Sequence, residues 1–378
     1  MKRSIDADYR YLLTLLFDYF CREERSLPVS LFNIRNCKKL LNRLDNHLLS
    51  LLFHRFISEA KLTDRIPAEL KSGLDDRFKI YNFRDRLYIQ GIERIAGIIS
   101  EFNHVMYKGI FFERRFYGGA WPRPFGDIDI LVEEEALPDL IYLLFQNGFT
   151  RYSVEKLSPI GEVREINSYE KHKCEINFCD SRTGTIFIDL HWNALSEFKC
   201  GETISGEMLS TREGINFNGI QIYSTSDEYA LLLSLFNALK HRFYHLLYFF
   251  DLFLIYRKVK GSEEGMNKLI NRYRLGNLCR FITFLREDLF KDTEIKTRSW
   301  TGFERNIFSG AVTDIVTRGY PKNPLFYLYV YPGFHERYRY IKSRLFPDYY
   351  DLKAHFGRGR RLSRTLFYIE KARRLCGL

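Results

Sequence analysis

Long apolar runs are missing from this sequence. None of its 378 residues falls in a stretch of about eighteen uncharged apolar residues, the length that a membrane-spanning helix needs, so no transmembrane segment is predicted. The first eight residues also lack the apolar stretch and the small-residue cleavage site of a secretory signal. We therefore expect a cytoplasmic protein with reduced thiols.

Paired cysteine motifs are missing as well. The seven cysteines are an odd number without any Cys-x-x-Cys spacing, so neither a disulfide framework nor a zinc ribbon is predicted. Aromatic residues are frequent, at 16%, but they do not show the short ordered spacing of a platform that stacks nucleic-acid bases, and we interpret them as packing residues. The chain has 378 residues, of which 46% are hydrophobic, so it can bury a large core and is predicted to form two or three domains.

The most informative stretch is a short apolar run that begins with two aspartates. If residues 127–132 form a strand, Asp127, Asp129 and Leu131 lie on one face, and the three apolar residues between and after them lie on the other. Neighbouring carboxylates repel each other and are costly to bury without compensation. Either a divalent cation such as Mg²⁺ binds there, or the pair lies at an exposed strand end, where it is solvated or paired with Arg115 or Arg123.

The residues around this run predict alternating strands and helices. Residues 104–107 predict a strand, residues 110–116 a helix, and residues 117–126 a loop, because three glycines and two prolines interrupt regular structure there. Acidic residues at 133–135 start a second helix, which Gly148 ends. The predicted order is strand, helix, loop, carboxylate strand and helix.

A third acidic residue lies in another apolar strand. Residues 171–178 and 185–192 predict a β-hairpin with a turn at residues 180–184. In its second strand Asp189 and His191 share a face, and charge is normally excluded from such an apolar strand. Glu175, on the first strand, is the alternative third carboxylate if the strands pair differently.

Together these motifs resemble those of a known family, the uncharacterised bacterial nucleotidyltransferase-like proteins of the DNA polymerase β superfamily. The family pattern contains a Lys-Gly at a strand end, an Arg-Pro, a Gly-Asp-x-Asp before an apolar run, and an Asp-Leu-His-Trp strand. The corresponding stretches here are Lys108-Gly109, Arg123-Pro124, Gly126-Asp127-Ile128-Asp129 and Asp189-Leu190-His191-Trp192. The resemblance extends from roughly residue 30 to the region of residues 345–347.

The resemblance implies metal-dependent transfer of a nucleoside monophosphate from an NTP. In such chemistry two divalent ions, Mg²⁺ or Mn²⁺, stabilise the attacking and leaving oxygens of an in-line displacement at the α-phosphorus. It implies that Asp127 and Asp129 bridge the metals and carry the triphosphate. Asp189 is implied to hold the catalytic metal and to receive the acceptor proton.

Five residues are predicted to bind the nucleotide. The Lys108-Gly109 turn presents backbone N–H groups at a helix start, and Lys108 and Arg123 are the nearest cations to the triphosphate. The serine that often follows this glycine in the family is replaced by isoleucine. His191 is predicted to orient Asp189, touch the substrate or make a structural hydrogen bond. The fifth residue is Lys240.

Lys240 belongs to a Lys-His element that resembles one in the family. Together with Asp251 on the next apolar segment, it is predicted to face the cleft and to bind base, ribose or acceptor. The alternative is structural, with Asp251 buried and paired with Lys240, Arg242 or His245.

Helical segments flank the predicted core. Residues 11–20 and 37–60 carry apolar residues at three- and four-residue steps, and residues 68–100 predict one or two further helices. Ser226 is a predicted N-cap, and the residues after it predict two helices or one bent helix up to position 257.

The C-terminal segment is strongly basic. Residues 336–374 contain twelve Lys or Arg against four Asp or Glu, so they hold much of the net charge of +11. This segment predicts a solvated surface, or a contact with RNA or an anionic membrane surface. No RNA-binding motif accompanies it.

We therefore predict an α+β protein. A polymerase-β-type nucleotidyltransferase core, a small mixed sheet with helices at residues 101–225, is expected between helical regions at residues 1–100 and 226–378. The favoured function is transfer of a nucleoside monophosphate to a hydroxyl of a small-molecule, peptide or protein acceptor. The alternatives are a non-catalytic NTP-binding or scaffold protein with the same fold, and an RNA-directed nucleotidyltransferase. The base, the acceptor and the oligomeric state are not predicted.

Overall fold

The computed structural model describes residues 5–22, 36–118, 123–153, 158–161, 166–259, 263–290 and 300–345. In these residues a mixed sheet is flanked by helices, which confirms the predicted α+β class. The strands are β1 (His104–Tyr107), β2 (Ile128–Val132), β3 (Phe149–Ser153), β4 (Ser158–Gly161), β5 (Glu175–Asp180), β6 (Phe187–His191), β7 (Glu213–Phe217) and β8 (Ile220–Ser224).

Helices make up most of the remaining described residues. They are α1 (Ile5–Phe17), α2 (Cys37–Asn46), α3 (Ser50–Glu59), α4 (Ala68–Ile99), α5 (Gly109–Phe116), α6 (Leu137–Gln146), α7 (Ser168–Lys173), α8 (Gly201–Ser210), α9 (Asp227–Lys240), α10 (Leu247–Val259), α11 (Glu263–Arg272), α12 (Gly276–Phe290), α13 (Gly302–Arg318), α14 (Pro324–Val330) and α15 (Phe334–Leu345). None of the helices in the described ranges is both long and apolar enough to cross a membrane.

The sheet brings the two predicted carboxylate strands together. Its strand order is β4-β3-β5-β6-β2-β1-β8-β7, with the β2–β6 and β1–β8 pairs parallel and the other neighbours antiparallel. In the β2–β6 register Asp129 lies directly beside Asp189. Two distant stretches of sequence therefore place their acidic residues on adjacent central strands.

The two faces of β2 enter different hydrophobic cores. Ile128, Ile130 and Val132 pack with α4 and α6, whereas Leu131 packs with helices from the N- and C-terminal parts of the chain. Because side chains alternate along a strand, Asp129 points to the same side as Leu131. The carboxylates therefore lie between the sheet and the helices that cover this face, which include α9 and α10.

The N-terminal helices pack against the C-terminal ones. The rings of Phe17 and Phe253 meet edge to face with their centroids 5.0 Å apart, and the Thr14 hydroxyl donates a hydrogen bond to the Leu289 carbonyl over 3.2 Å. One hydrophobic cluster contains residues of all three predicted regions. The division at residues 100 and 225 stays a prediction.

Two predicted elements have different boundaries in the structure. The helical stretch at residues 37–60 is two helices, because the chain turns at Leu48, whose φ of 58° is incompatible with a continuous helix. The predicted strand at residues 171–178 begins only at Glu175. The preceding residues form α7, whose start is capped by reciprocal hydrogen bonds between Asn167 and Glu170.

The β7–β8 hairpin was not predicted, although its signal is present. Its turn is Asn218-Gly219, with φ angles of 52° and 88°, and an Asn-Gly pair between two alternating runs is a strong hairpin signal. The predicted Ser226 N-cap is confirmed, since its hydroxyl accepts a hydrogen bond from the Tyr229 N–H. Residues 346–374 of the basic segment and residues 119–122 of the loop lie outside the described residues.

Candidate active site

Three adjacent strands carry polar side chains on the face that α9 and α10 cover. Asp129, Asp189 and Asn177 are neighbours on β2, β6 and β5, and His191 lies beside Glu175 on the last two of these strands. Residues opposite each other in paired strands point to the same face of the sheet. The register therefore assembles three carboxylates, an imidazole and an amide, and the predicted alternative carboxylate Glu175 belongs to the same group.

Asp129, Asp189 and His191 form the tightest group of possible metal ligands in the described residues. One ligand atom of each lies within 4.8 Å of the others. His191 Nε2 is 3.2 Å from Asp129 Oδ1, and its Nδ1 is 3.7 Å from Glu175 Oε2. His191 thus contacts Asp129 and Glu175, and its predicted role in orienting Asp189 stays a prediction. Carboxylate oxygens with an imidazole nitrogen fit a divalent cation.

The site holds more negative charge than its protein neighbours neutralise. Burial, and then the charge of Asp129, raise the pKa of Asp127 to about 6. Burial would also raise the pKa of Asp129, but the Lys108 ammonium and His191 lower it to about 2. Burial and three neighbouring carboxylates raise the pKa of Asp189 well above its ordinary value. A bound cation would offset this repulsion.

The Lys108-Gly109 turn lies at the edge of the carboxylate group. Lys108 Nζ is 3.5 Å from Asp129 Oδ1, and Gly109 begins α5. Lys108 has φ 58° and ψ −156°, a region that residues other than glycine rarely occupy, and Gly109 follows with φ 44°. Backbone strain of this kind clusters at functional sites, and the first N–H groups of a helix lack partners within it. The turn is thus suited to bind an anion.

Gly109→Ala is expected to destabilise the protein by about 1–2 kcal/mol, because the backbone is left-handed there. An added Cβ would also lie 3.2 Å from the Asp127 carbonyl oxygen, so this turn and the carboxylate strand would have to shift apart. The matched control is Gly97→Ala, an exposed position within α4 where an added Cβ meets nothing within 4 Å. That control is expected to stabilise by about 0.5–1 kcal/mol. Urea denaturation of both variants checks this, and equal midpoints would contradict it.

Neither arginine predicted as an alternative partner of the aspartates reaches them. Arg115 pairs with Glu213 and Asp227, and Arg123 pairs with Asp251. Lys108 and His191 are the groups that contact Asp129. The alternative of an aspartate pair neutralised by an arginine at a strand end is therefore wrong.

Arg123 and Asp251 form a buried, two-pronged ion pair. Arg123 Nε and Nη2 donate to the two carboxylate oxygens over 2.8 and 2.9 Å, and the Tyr117 hydroxyl donates to Asp251 over 2.7 Å. Arg123 Nη1 also approaches the Gly109 carbonyl at 3.4 Å. Asp251 is thus structural, but its partner is Arg123 and not the predicted Lys240, Arg242 or His245. The nucleotide-binding role of Arg123 stays a prediction.

Side chains of α4 hold the loop that leads into the carboxylate strand. Three consecutive turns of the helix contribute a donor each: Tyr81 to the Arg123 carbonyl, Arg84 to the Phe125 carbonyl, and Tyr88 to the Gly126 carbonyl. The backbone just before Asp127 is therefore fixed from the opposite side of the sheet.

A cavity of about 550 Å³ opens over the carboxylates. Its lining includes all eight of the predicted site residues: Lys108, Gly109, Arg123, Asp127, Asp129, Asp189, His191 and Lys240. Glu175 also lines it. Sequence reasoning missed Asn237 and Tyr248 on the helical wall. Asn237 lies one helical turn before the Lys-His element, and that spacing was the available signal.

A known family accounts for most of the chain. The family described as "Uncharacterised nucleotidyltransferase" matches residues 35–291, a range that includes every residue of the cavity named above. No curated protein matches the chain.

Proposed function

The chain belongs to this family of uncharacterised nucleotidyltransferases, and from that premise we propose that it is a metal-dependent enzyme. It moves a nucleoside monophosphate from an NTP to a hydroxyl of a small-molecule, peptide or protein acceptor. The observation that carries the proposal is the β2–β6 register, which sets Asp129 beside Asp189 at the floor of the cavity.

The acidic side chains would hold the divalent ions. Asp127, Asp129 and Asp189 are the proposed ligands for Mg²⁺ or Mn²⁺, with His191 in contact with Asp129. When bound, such ions stabilise the charge that develops on the transferred phosphate and lower the pKa of the attacking hydroxyl.

The remaining residues bind and orient the reactants. Lys108, the first N–H groups of α5 and Lys240 are proposed to hold the triphosphate. The acceptor oxygen forms a bond to the α-phosphorus, the bond from that phosphorus to the bridging oxygen breaks, and pyrophosphate leaves. The hydroxyl proton passes to Asp189.

Calorimetric titration with ATP, GTP, CTP and UTP, each with and without Mg²⁺, tests the proposal. We expect binding that needs the metal and that disappears in the Asp127→Asn/Asp129→Asn variant. Asp139→Asn, an exposed aspartate on α6, is the matched control and is expected to bind normally. A folded wild-type protein that binds none of the four nucleotides would contradict the proposal and favour the scaffold alternative.

The described residues do not favour the RNA-directed alternative. Its only support is the basic C-terminal segment, most of which lies outside the described ranges.

A further inference from the structure

We propose that the α9–α10 wall of the cavity is the nucleobase subsite, in which the Tyr248 ring stacks on the base and the Asn237 amide reads its hydrogen-bonding edge. This inference rests on the proposed function and adds to it the residues that select the base. Neither Asn237 nor Tyr248 is among the site residues predicted from the sequence.

The cavity has two chemically different ends. The sheet end carries the carboxylates and the Lys108-Gly109 turn, which suits metal ions and phosphate. The helical end contains the partly exposed side chains of Leu48 and Tyr248, whose apolar surfaces suit the flat face of a base. Lys240, the last residue of α9, lines the same cavity. A nucleotide with its triphosphate on the sheet end therefore extends its nucleoside toward the helical wall.

Tyr248 is held in place by two other rings. Its centroid is 5.3 Å from that of His241 and 5.5 Å from that of His245, which is itself fixed by a 2.7 Å contact with the Asn46 carbonyl. Partial burial, together with the nearby ammonium groups of Lys240 and Lys108, lowers the pKa of His241, so this ring is uncharged at neutral pH. A fixed, uncharged aromatic pair favours stacking over phosphate binding.

Asn237 provides the polar readout on the same wall. It precedes His241, the C-cap residue of α9, by four positions, and both residues line the cavity. Among the described residues its Nδ2 has no hydrogen-bond acceptor, and the side chain lines the cavity. An amide presents a donor beside an acceptor, as the edge of a nucleobase does.

Comparison of NTPs with inorganic tripolyphosphate, which has no base, tests this subsite. Calorimetry with Mg²⁺ would measure the affinity of the wild type and of Tyr248→Leu for each probe. We expect Tyr248→Leu to weaken NTP binding about tenfold or more, as loss of one aromatic stack does, and to leave tripolyphosphate binding unchanged.

Three further variants sharpen the test. Tyr248→Phe keeps the ring and is expected to retain NTP affinity. Tyr256→Leu changes an exposed tyrosine two turns further along α10 and is expected to have no effect. Asn237→Ala is expected to reduce the differences in affinity among the four NTPs, again without weakening tripolyphosphate binding.

The failures of the two proposals are distinguishable. Equal losses of NTP and tripolyphosphate binding in Tyr248→Leu, or no loss of either, would overturn the nucleobase subsite while leaving nucleotidyl transfer intact. Wild-type binding of NTPs no tighter than that of tripolyphosphate would do the same. A folded wild type that binds neither probe would overturn the proposed function and the subsite with it.

Discussion

Asp189→Asn is expected to make the metal-free protein more stable while it strongly slows the proposed metal-dependent nucleotidyl transfer. Burial, together with Asp127, Glu175 and Asp129, raises the pKa of Asp189 well above 3.8, so the ionised carboxylate is disfavoured in the folded state. Asparagine keeps the shape and removes the charge. The variant is therefore expected to have a higher urea midpoint than the wild type at neutral pH in the presence of EDTA.

The pH dependence has a definite sign. Because the pKa of Asp189 is raised by folding, its contribution to wild-type stability is complete below 3.8 and is lost as the pH rises through the raised value. The variant lacks this loss. The difference in melting temperature between the variant and the wild type should therefore grow as the pH increases. A difference in melting temperature that stays constant with pH would contradict the conclusion that folding raises the pKa of Asp189.

Asp189→Asn is expected to lower the activity, although it raises the stability of the metal-free protein. Loss of this proposed metal ligand is expected to slow transfer about a thousandfold, which corresponds to about 4 kcal/mol of transition-state stabilisation. Mn²⁺ or Mg²⁺ is expected to raise the melting temperature of the wild type, and this rise should be absent in the variant. Asp139→Asn on the surface of α6 should change neither property. A variant that still responds to the metal would exclude Asp189 as a ligand.

Asp251→Ala is expected to destabilise the protein by about 3–5 kcal/mol, because it leaves the buried guanidinium of Arg123 without its carboxylate. Arg123 and Asp251 are 6% and 2% exposed, so water cannot replace the lost partner. The urea midpoint should fall strongly. NTP affinity should fall as well, even where the variant is folded, since Arg123 contacts the Gly109 carbonyl of the proposed phosphate turn.

A surface ion pair and a double variant are the controls for this prediction. Arg10 and Asp288 approach to 3.7 Å and are each about one-third exposed, so Asp288→Ala is expected to cost less than about 1 kcal/mol. Arg123→Met/Asp251→Leu removes both charges and is expected to restore most of the stability. A double variant as unstable as Asp251→Ala would show that packing, not the unpaired charge, causes the loss.

Local sequence pattern predicted the elements that carry the site. Alternation of side chains is a property of a single strand, so the shared face of Asp127 and Asp129, and that of Asp189 and His191, followed from residues 127–132 and 185–192 alone. Gly148 marked the end of α6, and the Ser226 cap marked the start of α9, both by local backbone chemistry. The signal for the β7–β8 hairpin was local as well, since the Asn218-Gly219 pair is typical of a hairpin turn.

Contacts between distant residues were decided by the tertiary structure. Arg123 pairs with Asp251, which lies 128 positions further along the sequence, and His191 contacts Asp129, which lies 62 positions earlier. Strand register and helix packing bring these residues together. The strain at Lys108 and the place of Tyr248 on the cavity wall are also invisible in the pattern. The sequence by itself determined which strands carry acids, since strand periodicity is local; only the fold decided which charges meet, since pairing depends on how all elements pack.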